Sequence, residues 1–115
     1  MVEKRSSPRL EHEGEARFEL ESASFDAQIA NISEGGALLV VEEDEVGSEL
    51  VQDAPAHLYF CLPNDPDEEY QVSVRVSHFH KPDDDGYRVG LQFTDESQPG
   101  VLAVREFIDM FSAFL

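Results

Sequence analysis

The sequence predicts an all-β dominated fold: a six-stranded antiparallel β-barrel followed by one C-terminal α-helix. Three observations carry this expectation. Apolar and polar residues alternate in short runs through most of the chain, clusters of Gly, Pro, Ser and Asp separate the runs, and a helical period replaces the alternation only near the end. Short strands expose unpaired edges, and closing the sheet on itself removes them. The 115 residues suit one domain, divided into a flexible N-terminal arm over 1–13, a barrel over 14–94 and a helix over 97–115.

Ala16, Phe18 and Leu20 alternate with Arg17, Glu19 and Glu21, and Phe25, Ala27 and Ile29 alternate with Asp26 and Gln28. These are two half-buried strands joined by a Ser22-Ala23-Ser24 turn. A third strand spans Ala37 to Val41, an acidic surface loop runs from Glu42 to Pro55, and a fourth strand covers His57 to Leu62. The clearest strands carry Tyr70, Val72, Val74 and Val76, then Tyr87, Val89, Leu91 and Phe93. Between them, Lys81-Pro82-Asp83-Asp84-Asp85-Gly86 supplies the fixed φ, the side-chain acceptors and the glycine of a turn. After Asp95-Glu96-Ser97, the residues Val101, Val104, Phe107, Ile108, Phe111, Phe114 and Leu115 recur at helical spacing.

The chain has 25 acidic and 8 basic side chains, a net charge of −17. Such a field opposes DNA, RNA and anionic membranes. No apolar run approaches the roughly 20 residues that cross a bilayer, and the start lacks the apolar core of a secretory signal. A cytoplasmic location without membrane insertion is expected. Cys61, the single cysteine, lies in an apolar run and is expected to be a buried, inert thiol. Against the acidic background, Lys4, Arg5 and Arg9 fall within six positions, where a small anion finds a locally basic surface.

Two short elements carry the functional case. Arg5-Ser6-Ser7-Pro8-Arg9 has the form RxxxR, and Asn31-Ile32-Ser33-Glu34-Gly35-Gly36 has the form (D/N)xSxxG. In this order, with the strand pattern and the late Tyr87-Arg88-Val89-Gly90-Leu91-Gln92-Phe93 segment, they resemble the cyclic di-GMP signature of the PilZ domain family, in its stand-alone, single-domain form. The resemblance implies a bacterial second-messenger receptor: the dinucleotide would lie between the arm and the barrel face and change the surface offered to a protein effector, with no catalysis and no cofactor. The residue types suit that ligand. Pro8 biases Ser7 toward extended geometry. Arginine can fork onto guanine O6 and N7, clamp phosphate or stack on a purine, and Arg5 and Arg9 would divide these roles. Asn31 offers an amide to the guanine edge and Ser33 a hydroxyl, while Gly35 and Gly36 permit positive φ and close approach of a flat ligand. The resemblance links the position of Lys4 to how many ligand molecules stack. The alternative is a PilZ-like protein-interaction module that binds no nucleotide; family members of that kind typically lack the signature residues.

Other features have simpler readings. His78 and His80 share one strand face but lack evident partner ligands for zinc, as do His12 and His57. Asp83-Asp84-Asp85-Gly86 lacks the ligand spacing of a calcium loop and, like Asp65 to Glu69, is expected to be a solvated turn. Asn31-Ile32-Ser33 is a glycosylation sequon only in form. The terminal helix has more apolar residues than one narrow stripe needs. It either plugs the barrel or also offers a docking face to a partner or to a second copy in a homodimer.

Overall fold

The computed structural model describes residues 9–82 and 86–112; side chains are described for 14–82 and 86–110. Six strands, β1 (Arg9–Glu19), β2 (Ser24–Ser33), β3 (Gly36–Val41), β4 (Pro55–Leu62), β5 (Asp65–His80) and β6 (Tyr87–Phe93), precede one helix, α1 (Pro99–Ser112). Every pairing is antiparallel, and the strands close in the order β1-β2-β3-β6-β5-β4. The expected barrel and terminal helix are therefore present.

Alternation fills the interior. Phe18, Ile29, Leu39, Leu58, Val72, Val76 and Val89 are all fully buried, while Glu15, Arg17, Asp26 and Gln28 face solvent between inward neighbours. At roughly 1.5–3 kcal/mol for each large apolar side chain removed from water, this shared interior is the dominant stabilising term. Helix α1 packs on both β2 and β5, which stand opposite one another in the ring, so it crosses an end of the barrel. Val101, Val104, Phe107 and Ile108 are its buried face, whereas Leu102 and Met110 are exposed. Gln98 ties the start of α1 to β5: its Oε1 accepts from Ser73 N–H at 2.6 Å and its Nε2 donates to the Ser73 carbonyl at 3.1 Å.

Several boundaries differ from the sequence reading. The β1–β2 hairpin continues to Arg9, opposite Ser33, so residues 9–13 belong to a strand and not to an arm. The helix starts at Pro99 instead of 97, because proline suits a first helical turn and disfavours helix in the residue before it. The acidic segment after β3 contains a 3₁₀ helix, Asp44–Ser48, that inserts fully buried Val46 into the core, with Leu50 following. Asp65 to Glu69 open β5 rather than forming a turn. All five are exposed, so no apolar alternation marks the strand. Cys61 is only half-buried, since Phe60 and Leu62 take the inward positions of β4. Phe114, Leu115, the Phe111 side chain and Asp83–Asp85 lie outside the described residues.

Two expectations follow. Val46→Ala removes the apolar anchor of the acidic segment, and at about 0.8 kcal/mol per methylene it should lower urea-unfolding stability by ~2 kcal/mol. Asp95 Oδ1 accepts from Ser97 Oγ at 2.7 Å and from Ser97 N–H at 2.9 Å, and these bonds hold its carboxyl below the usual value. A depressed carboxylate contributes stability above its unfolded pKa and loses it as pH falls through the folded one. Ser97→Ala should therefore raise the Asp95 midpoint in an NMR titration, and the variant and parent stabilities should converge in acid.

Candidate ligand-binding site

The (D/N)xSxxG segment is not a plain loop. Asn31 and Ser33 lie at the C-terminal end of β2, only Glu34 and Gly35 form the connection, and Gly36 opens β3. What turns the two polar side chains outward is a β-bulge. Phe25, Ala27 and Ile29 point inward, yet the next buried residue is Ile32, three positions on. The β2–β3 register shifts by one residue between Ile29 and Asn31, and the inserted residue is Ala30. Without that insertion the period of two would direct Asn31 into the core; with it, half-buried Asn31 and Ser33 share the outer face.

The same strand brings the two motifs together. Arg9, the last residue of RxxxR, pairs directly with Ser33, and Glu11 pairs with Asn31. Paired residues in an antiparallel ladder have Cα atoms about 4.5–5.5 Å apart. The Arg9 backbone thus adjoins the second motif; its side chain, with Lys4 and Arg5, lies outside the described residues.

The turn is held from two sides. Ser33 Oγ donates to the Gly36 carbonyl at 3.3 Å, and Phe93 N–H on β6 donates to the Gly35 carbonyl at 2.9 Å. The Ser33 lone pairs remain acceptors in that arrangement. The two glycines have different roles, and neither uses positive φ. A Cβ on Gly36 would collide with the Leu91 carbonyl of β6, so the missing side chain admits a neighbouring strand. Around Gly35, exposed at the tip, an added Cβ would meet nothing within 4 Å, leaving space for a ligand to reach the backbone.

The β3–β6–β5 pairings extend this face beyond the residues singled out in the sequence. Gly36 aligns with Gln92, and Gln92 with Arg75, whose Nη2 and Nε donate to Gln92 Oε1 at 2.7 and 3.1 Å. One row along, Asn31 aligns with Leu38, Gly90 and His78. The His78 ring lies where a Gly90 side chain would stand. A second bulge places it there: the β5–β6 register shifts at Ser77, whose Oγ donates to the Gly90 carbonyl at 3.0 Å, and His78 and His80 turn out to solvent. Among the described residues, no three His, Cys, Asp or Glu side chains gather as metal ligands. No described helix is long and apolar enough to cross a membrane.

A family model described as the PilZ domain matches residues 3–109. Among solved structures, the inhibitor of motility MotI/DgrA of Bacillus subtilis superposes with a TM-score of 0.76 at 16% identity, over 97% of this chain and 53% of that one. The PilZ domain of YcgR from Escherichia coli, solved with c-di-GMP, gives 0.73 at 10% identity, over 96% and 93%. MrkH of K. pneumonia, in complex with c-di-GMP, gives 0.66 at 21% identity, over 92% and 51%. The chain thus spans about half of MotI and MrkH but nearly all of the YcgR domain. At these identities the likeness is one of fold. No curated protein sequence matches significantly.

The two glycines make a contrast that stability measurements can read. Gly36→Ala should destabilise the barrel by about 1–3 kcal/mol, the usual cost of forcing extra volume between packed elements. Gly35→Ala should stay within about 1 kcal/mol of the parent. Thermal or urea unfolding of both variants checks the pair.

Proposed function

The chain belongs to the PilZ domain family, and from that premise we propose that it is a receptor for cyclic di-GMP, held between the RxxxR segment and the outer face bearing Asn31 and Ser33. The pairing of Arg9 with Ser33 carries this reading, because it joins the two motifs on one ladder end. The c-di-GMP complexes of the YcgR domain and MrkH support it by likeness of fold.

Each residue has a chemical task. The Arg5 and Arg9 guanidinium groups clamp phosphate or fork onto a guanine edge. The Asn31 carbonyl accepts from guanine N–H groups, Ser33 accepts alongside, and the open backbone at Gly35 lets the flat ligand settle. Gly36 contributes by letting β6 close behind the turn. Lys4 adds a cation that would favour a stacked pair of ligands. The protein acts as an adaptor and not as an enzyme: the ligand favours an ordered arrangement of the N-terminal segment through its higher affinity for that state, and a protein effector in the cytoplasm reads the altered surface.

Isothermal titration tests the proposal. Cyclic di-GMP should bind saturably, GMP and cyclic di-AMP should not, and two ligands per chain would implicate Lys4. Arg9→Ala should weaken binding by roughly 100-fold, about 2.8 kcal/mol at 1.4 kcal/mol per tenfold, with an unchanged circular dichroism spectrum. A folded parent protein that binds none of the three would place the chain among interaction modules without nucleotide.

A further inference from the structure

The barrel is closed, but its β1–β4 seam is paired over only part of the length of β1. β1 and β4 pair from Glu19–His57 to Ala16–Phe60, where their described ladder ends. From Arg9 to Glu15, β1 continues as a strand whose described pairing is with β2 alone, with a register shift between Glu11 and Gly14. Beyond Phe60, β4 shifts register against β5. At this end of the seam lies a cleft of about 940 Å³, lined by Gly14–Arg17 of β1 and by Tyr59–Pro63 at the end of β4, with Asp26–Gln28 of β2 and Val40 of β3 alongside. At Gly14 and Glu15 the cleft reaches a strand edge, where β1 has no β4 partner among the described residues.

The charge around this cleft is predominantly negative. Glu15, Asp26, Glu42, Glu43 and Glu69 line the cleft, and Arg17 is its single cation among the described residues. Arg17 is itself engaged, its guanidinium carbon 4.2 Å from the centre of the Tyr59 ring. We propose that the open β1–β4 seam is a docking site for an extended, lysine- or arginine-rich segment of a partner protein, added as a strand along Arg9–Glu15. Strand addition satisfies the backbone of both chains. Alternate side chains of the added strand would point to the same face and meet the carboxylates there, while the edge hydrogen bonds fix the register.

The proposal does not depend on nucleotide binding. The opposing possibility is that the carboxylates only guard an edge against association, as charges on edge strands often do. A titration of the ¹⁵N-labelled full chain with an alternating Lys-Val octapeptide separates the two, with a Glu-Val octapeptide and an alternately N-methylated Lys-Val peptide as controls. Methylation preserves charge but removes strand-forming donors. The Lys-Val peptide should shift the amide signals of Gly14, Glu15 and Cys61 and slow their hydrogen exchange, and both controls should bind at least tenfold more weakly. Glu42→Lys/Glu43→Lys, changed at exposed positions, should cost about tenfold in affinity without altering the melting temperature. Equal binding of the methylated peptide, shifts scattered over the acidic surface, or no shifts at all would overturn the proposal.

Discussion

The constraint on which the structure rests is the two-residue period of a β-strand. A barrel this small must put apolar side chains at every second position, and a strand that obeys this strictly has no freedom to choose which polar residue faces out. The chain escapes through single insertions. Ala30 on β2 and Ser77 on β5 each advance the phase by one, so Ile29 and Ile32 are both buried, and Val76 is followed inward by Phe79. Asn31, Ser33 and His78 gain the outer face as a result. Bulges lose local ladder pairing, and the core contacts on either side offset that loss.

Closure then supplies rigidity. β3 and β6 lie far apart in sequence and adjacent in space, and their contact is tight enough that position 36 has no room for a side chain against the Leu91 carbonyl. The Phe93 N–H bond to Gly35 fixes the turn from the same strand. The exposed backbone at the tip therefore sits on a scaffold set by packing rather than by the turn residues alone. Charge opposes this arrangement at long range: a net −17 repels an anionic dinucleotide. The proposed site depends on short-range cations to invert the local potential, and three of the chain's 8 basic residues, Lys4, Arg5 and Arg9, lie in its N-terminal segment.

Much of this was legible in the residues. Alternation located the strands because their inner faces are uniformly apolar, and the two motifs pointed to the candidate site because their side-chain chemistry is local. The bulges were legible too, but only as a gap of three within a period of two, Ile29 to Ile32 and Val76 to Phe79; a reading that stops each strand at the break misses them. The acidic beginning of β5 was hidden because both of its faces are solvated. Arg75 and Gln92 were hidden for another reason: their meeting depends on β5 pairing with β6, a long-range choice that no local pattern encodes. The central role of Gly36 lay in a strand contact, which composition alone could not distinguish from conformational freedom.

The insertion at Ala30 has a consequence for altering this protein. A bulge acts as a frame shifter between two reading phases of the same strand, so the interior before it and the polar face after it can be redesigned separately, provided the extra residue is kept. Grafting Asn31 to Gly36 onto another barrel without the residue at 30 would carry the right letters in the wrong frame, and the polar pair would arrive facing the oil.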